Sequence, residues 1–317
     1  MHEWYEKDPN KVTEAEFYQL VSEFSKSLGQ FDEIWFYHNP GRFHKLYKKL
    51  LKKTELKNKI KLFTHLNEIT EQVEVGMHQD LPKTCKWLHE RLELLPIFKY
   101  PFDLKLLPKN GVYFFYEEGE NSEHGECLSR PRIVRIGTHK ENNFRSRISE
   151  HFLLNESKMK FTQISPKPSD RSIFRKNIGR ALLNEQRDLD YLRVWEIDFT
   201  SNINRANYSH LRNIEKEMTI ESQITELIRK RFYFRFISIE GQEKRMGKIG
   251  IESRLIGTVT SCKLCKPSDY WLGKFSTKSQ IKNGKLWLSQ HLDSIGLNDS
   301  DKRDLLIAIE TTKRLRA

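Results

Sequence analysis

Two runs rich in β-branched and aromatic residues, GVYFFYEE at 111–118 and RIVRIGT at 132–138, flank the turn-rich stretch GENSEHGE. Runs of this composition read as strands, and an antiparallel pair with a longish loop is their simplest connection. A third strand is expected in FYFRFISI at 232–239, and a weaker one at 192–199. Pro101 and Pro108 bracket a short extended segment. Most of the remaining chain has helical period. Apolar residues recur on one face at 14–28 (Phe17, Leu20, Val21, Phe24, Leu28), at 43–53 and at 82–95 (Trp87, Leu88, Leu92, Leu95). The period returns at 144–154, 172–183, 209–230 and 243–256. The expected fold class is α/β in the α+β sense, a small antiparallel sheet flanked by helices with a helical N-terminal region. The expected division is a helical, partly basic region at 1–100, a central domain at 101–260 with an insertion at about 155–230, and a C-terminal extension at 261–317.

Charge narrows the partner. Across 317 residues, 55 Lys and Arg face 43 Asp and Glu, a formal charge of +12 that favours an anionic ligand. The excess is local: residues 42–62 hold nine bases against one acid, Glu55. There Phe43, Leu46, Tyr47, Leu50 and Leu51 form an apolar helix face, and Lys45, Lys48, Lys49, Lys52 and Lys53 fall opposite it. That cationic face suits a phosphate backbone, or it is a solvated helix surface. A second basic stretch, SIFRKNIGRALL, with Arg171 just before it, places Arg171, Arg175, Lys176 and Arg180 near one helix side, also as candidate DNA-backbone contacts. No apolar run approaches the roughly 18 residues of a membrane span, and MHEWYEKDPN lacks the pattern of a secretory signal. Four irregularly placed cysteines do not make a disulfide framework, so a cytoplasmic protein is expected. Cys262-x-x-Cys265 is half a zinc site. Closing it needs distant residues such as Cys127, His124 or His291, and zinc is not expected. The chain has no Walker-type phosphate loop, dinucleotide fingerprint or HExxH.

Some individually ordinary residues occur in a telling order: Gly111-Val112-Tyr113, Arg135-Ile136-Gly137, Arg147 with His151 one turn later, and Glu252 before Leu255-Ile256. Strand, loop, strand ending in Gly, helix with an Arg, then a later helix with a Glu resembles the GIY-YIG nuclease superfamily over 110–256. The Arg-x-x-x-His form is most similar to its restriction-endonuclease branch. The resemblance implies a DNA endonuclease in which Glu252 binds Mg²⁺ (or Mn²⁺), with double-stranded DNA as substrate.

The chemistry of these side chains is consistent with that role. Phosphodiester hydrolysis needs a deprotonated water and charge stabilisation on the phosphoryl oxygens. Tyr113 is the candidate base if its phenolate is favoured by nearby cations and a metal-bound water. Alternation puts Arg135 on the face of Ile133, where an antiparallel pairing lets it meet Tyr113. The planar guanidinium of Arg147 suits a phosphate oxygen, and His151, on the same helix face, relays a proton or contacts phosphate. A single carboxylate, Glu252, suffices for Mg²⁺, which keeps several waters.

Two positions depart from the family pattern. Arg135 stands where the family has a tyrosine, and no Asn follows Glu252 before Asn283. The expected function is a restriction-like or defence endonuclease, with a cognate DNA methyltransferase as a partner acting on the same site. Two readings stay open beside it: a repair or mobile-element nuclease that reads DNA structure, and an inactive nucleic-acid-binding protein. A homo-oligomer is compatible with either.

Overall fold

The computed structural model describes residues 82–124, 130–247 and 250–314, all within one compact unit, Leu81–Ala317. The helices expected at 14–28 and 43–53, including the lysines of 42–62, lie outside the described residues. Among the described residues, no helix is long and apolar enough to cross a membrane.

Helix α1 covers 82–93. Four strands follow in the order β1 (Phe98–Lys99), β2 (Val112–Ser122), β3 (Arg130–Gly137) and β4 (Phe232–Ile237). They form one antiparallel sheet with spatial order β1-β4-β2-β3, so β3 is an edge strand. The fold is α+β, with helices on both faces of this sheet. Burial on both faces explains why GVYFFYEE is apolar at nearly every position instead of alternating. Tyr113 and Phe115 enter one core, and Val112, Phe114 and Tyr116 enter the other.

The first core is closed by α2 (Phe144–Phe152), α4 (Ile173–Glu185), α5 (Leu189–Glu196) and α7 (Ile214–Arg231), through Phe144, Phe152, Phe174, Ile178, Trp195 and Ile224; in the chain, α3 (Pro168–Arg171) precedes α4 and α6 (Asn202–Tyr208) follows α5. After the short α8 (Gln242–Arg245), the second core is closed by α1, α9 (Ile251–Thr260) and α11 (Asp299–Arg314), through Leu88, Leu255, Val259 and Ile309. Between these last two lies α10 (Ser279–Gly284).

Three local expectations change. The strand expected at 192–199 is largely α5: the Asp188 side chain accepts from the Tyr191 amide as an N-cap, and Tyr191, Leu192 and Trp195 are buried at helical spacing. The single helix expected at 243–256 is two, α8 and α9, separated by Gly247 at φ +90° and Gly250 at the N-cap. Between Pro101 and Pro108 the chain makes a 3₁₀ turn, Leu104–Leu106, because the Asp103 carboxylate caps the Lys105 amide.

Both motif glycines are required by close approach. A Cβ on Gly111 would strike the Ile237 carbonyl of β4, and one on Gly137 would occupy the space of the Tyr113 phenol. The two glycines bring β2, β3 and β4 together around the tyrosine.

Candidate active site

The site begins with an irregularity in β3. Phe115 stands opposite Arg135, but its neighbour Tyr116 stands opposite Ile133, so β3 carries one extra residue, Val134. A bulge of this kind re-aims the side chains on either side of it. Ile133 and Ile136 enter the second core, whereas Val134 enters the first. Arg135 lies on the Tyr113 side, with its guanidinium 5.1 Å from the Phe174 ring centre. The bulge is why the sequence expectation that Arg135 shares a face with Ile133 fails; Arg135 is still on the surface of Tyr113, because it stands directly opposite Phe115 in regular register.

Tyr113 faces Gly137 across the strand pair, and its phenol lies over that glycine. Its hydroxyl is 3.1 Å from His151 Nε2, and His151 Nδ1 is 2.8 Å from Ser172 Oγ. Ser172 is also the N-cap of α4. Burial, followed by the charges of Arg135, Arg147 and Arg175, holds His151 well below the ordinary imidazole range, so it is neutral. At 1% exposure it is as buried as Tyr113, and its two ring nitrogens face the Tyr113 and Ser172 hydroxyls.

Glu252 lies in the first turn of α9, and its Oε1 accepts the Thr138 amide at 3.0 Å. Burial raises its pKa, while the Arg135 charge and the Thr138 hydrogen bond oppose the rise. Three of the expected positions thus converge on the end of β3: Arg135 within it, Tyr113 over Gly137, and Glu252 on the amide of Thr138.

Arg135 and Glu252 line a cavity of about 260 Å³, whose walls include Asn177 from α4 and Leu288, Ser289, Gln290 and His291 from the C-terminal segment. Two donors in these walls are buried and unpartnered: Arg135 Nε and Asn177 Nδ2. The Asn177 oxygen is already engaged, accepting from Arg180 Nη1 at 2.5 Å. Unsatisfied buried donors are costly, and an anionic oxygen is the natural complement to two of them beside a guanidinium. A carboxylate directed at the same space, with room for water, also fits a hard divalent cation, which takes oxygen ligands and keeps its waters.

The C-terminal segment is integral to this wall. Trp287 N donates to the Val134 carbonyl at 2.7 Å, at the bulge, and Arg135 Nη1 donates to the Trp287 carbonyl. Arg132, ion-paired with Glu120 at 2.6 Å, donates to the Lys285 carbonyl at 2.5 Å. These bonds cover the edge of β3.

Other expected residues divide. Arg147, on α2 one turn before His151, is about one-third exposed, pairs with Glu150 at 3.0 Å and donates to the Arg171 carbonyl at 3.1 Å. Of the cations expected to contact DNA in 171–180, Arg171 is exposed, but the other three are buried in ion pairs. Arg175 holds Glu221 at 2.7 Å, Lys176 holds Asp170 at 3.2 Å, and Arg180 makes a bidentate pair with Glu196 at 2.7 and 2.6 Å. Glu221 and Glu196 come from other helices and Asp170 from just before the stretch, so a basic stretch read alone overstates the charge left for a ligand. Lys45, Lys48, Lys49, Lys52 and Lys53 lie outside the described residues.

Sequence reasoning missed Asn177 and the wall at 288–291. The family asparagine was sought after Glu252, whereas an asparagine reaches the cavity from α4, 75 positions earlier. No spacing rule links those two positions, since only the tertiary fold brings them together.

A comparison with protein families matches residues 86–312 to a GIY-YIG domain. No curated protein and no solved structure matches the chain. The match spans most of the chain and both walls of the cavity, with Tyr113, Arg135, Asn177, Glu252 and His291 all inside it. With a GIY-YIG domain over 86–312 and its tripeptide glycines packed around Tyr113, the chain belongs to the GIY-YIG nuclease superfamily.

Proposed function

We propose that the protein is a divalent-metal-dependent endonuclease that hydrolyses DNA phosphodiesters, in a restriction or defence role. One observation carries this reading: a carboxylate, Glu252, and two unpartnered buried donors, Arg135 Nε and Asn177 Nδ2, line one solvent-open cavity at the end of β3. The Arg147-x-x-x-His151 arrangement favours the restriction branch.

Glu252 is the residue that would hold Mg²⁺ or Mn²⁺. Such an ion supplies charge neutralisation at the scissile phosphate and a water of lowered pKa. The chain's own residues do the rest. Arg135 and Asn177 donate to the non-bridging oxygens, where negative charge builds in the transition state. Tyr113, in its phenolate form and with its oxygen 3.1 Å from His151 Nε2, accepts the proton of the attacking water. Arg147 offers a further cation to the phosphate at the solvent edge of α2. Glu252 sits at the N-terminus of α9, where the helix dipole favours its anionic form against burial.

Plasmid DNA incubated with the full chain in Mg²⁺ and in EDTA tests the reading. Nicking or linearisation in Mg²⁺ alone is expected, and a discrete fragment pattern marks sequence-specific cutting. DNA binding with no cleavage in Mg²⁺ or Mn²⁺ would make the protein a binder that keeps the fold without the reaction.

A further inference from the structure

A second group of chemically active side chains lies in the other core, at the far end of α9. Cys85 and His89 sit one turn apart on α1, His124 follows β2, and Cys262 and Cys265 follow α9. All five are at most 3% exposed. The Cys85 and Cys265 sulfurs are 3.6 Å apart. His124 Nε2 is 3.5 Å from Cys262 Sγ and 3.3 Å from Cys265 Sγ, and His89 Nε2 is 3.4 Å from Cys265 Sγ. The ligand atoms of Cys85, His89, His124 and Cys265 all lie within 4.8 Å of one another.

These separations have a specific meaning. Around a tetrahedral zinc with sulfur at about 2.3 Å and nitrogen at about 2.0–2.1 Å, ligand atoms are about 3.3–3.8 Å apart. All four sulfur contacts fall in that range although no ion is present. A disulfide would bring two sulfurs to about 2.05 Å and leave the imidazoles without purpose; the three cysteines are free. Neutral hydrophobic packing would not turn two imidazole nitrogens toward sulfur from different elements. The His89 ring also bonds the Pro131 carbonyl, the kind of support that fixes the orientation of a metal-ligating histidine.

We propose that Cys85, Cys262 and Cys265, with one imidazole of the His89–His124 pair, form a structural Zn²⁺ site that ties the C-terminal end of the Glu252 helix to α1 and β2. The three thiols lose their protons to solvent as the thiolates bind the ion. The set is buried and supplies four protein ligands, which is the signature of a structural site rather than a catalytic one. Glu252 is ten residues from Cys262, about 15 Å along the helix, so this zinc takes no part in the chemistry of the cavity. It fixes the helix that aims Glu252. The half-site Cys262-x-x-Cys265 is completed by Cys85, which the sequence reading did not include, and by one of His124, which it did, and His89, which it did not. His291 goes to the cavity instead, and Cys127 lies outside the described residues.

Metal analysis of the full chain, purified without chelator, tests the site. About one equivalent of zinc is expected, and it should be lost in Cys262→Ser and Cys265→Ser but kept in Glu252→Gln. Loss of zinc in either His89→Ala or His124→Ala completes the ligand set, and retention in both overturns it. Should the cysteine variants fail to fold, wild type refolded with Co²⁺ decides: an intense thiolate-to-cobalt charge-transfer band with tetrahedral d–d absorption is expected. Zinc-free native protein that gives no such band, or that carries a disulfide among Cys85, Cys262 and Cys265, overturns the proposal. Because the readouts are metal content and spectrum, they stand whether or not the protein cleaves DNA.

Discussion

The two ends of α9 present opposite chemistry. At its N-terminus Glu252 looks into a solvent-open cavity whose walls hold buried donors with no partner, Arg135 Nε and Asn177 Nδ2. Beyond its C-terminus, Cys262 and Cys265 meet Cys85, His89 and His124 in a closed cluster. The first end is polar, with one carboxylate beside nitrogen donors; the second is soft and sulfur-rich, spaced for a single ion. Hard cations select the former kind of site and zinc the latter. The length of one helix keeps the two proposed sites apart.

The largest effect should come from the open end. Glu252→Gln keeps the size of the side chain and removes the anion, so Mg²⁺-dependent cleavage should fall below detection while DNA binding stays equal or tightens. Zinc content and melting temperature should not change. Retained cleavage would remove Glu252 from the metal site, and lost zinc would mean the two ends are not independent.

Next in size is Tyr113. Tyr113→Phe preserves the packing over Gly137 and deletes only the hydroxyl, and a positioned base is worth on the order of 10²–10⁴-fold in rate. Single-turnover cleavage at saturating Mg²⁺ measures it. His151→Gln, which keeps a polar partner for the phenol, should retain more activity than His151→Ala. Equal losses in the two would argue that His151 exchanges protons itself rather than orienting the tyrosine.

How much of this was legible in the sequence depended on how local the cause was. β2, β3, β4, α2, α4 and the helix at 82–93 follow from short-range composition and period, and each lies within a few residues of its expected position. The motif order led to Tyr113, Arg135 and Glu252 because each is marked by immediate neighbours. What escaped depended on distant partners. The bulge at Val134 is invisible to strict alternation, and α5 looked like a strand because its aromatic residues outweighed the Asp188 cap. Asn177 and the wall at 288–291 reach the cavity only through the packing of α4 and the pairing of Trp287 with Val134. Cys85 and His89 reach Cys265 across 180 and 176 positions.

Asn177 tests the most distant of these placements. Asn177→Ala removes an unpartnered donor from the cavity wall and should lower single-turnover rate by about 10²-fold, at the low end for loss of a transition-state donor. The same change frees Arg180 Nη1, but its bidentate pair with Glu196 remains, so stability should fall only slightly. Asn177→Asp should be worse than Ala, since a carboxylate there repels phosphate. If Ala and Asp both cleave like wild type, the cavity's anion-binding half is misassigned.

The smallest effect separates cations kept for a ligand from cations used by the fold. Arg171 is exposed, and Arg175, four residues on, is fully buried against Glu221 with further bonds to the His151 and Glu221 carbonyls and the Thr225 hydroxyl. Neutralising Arg171 should remove about one phosphate contact, lowering the slope of log affinity against log salt by about 1 and leaving stability unchanged. Arg175→Met should do the reverse: Glu221 is left charged and buried, a loss of about 3–5 kcal/mol in stability, while the salt slope of the folded protein holds. Binding titrations at several salt concentrations, paired with urea denaturation, measure both quantities in each variant. If Arg171→Ala leaves the slope untouched, no cation at 171–180 faces DNA, and the excess positive charge of the chain must act elsewhere.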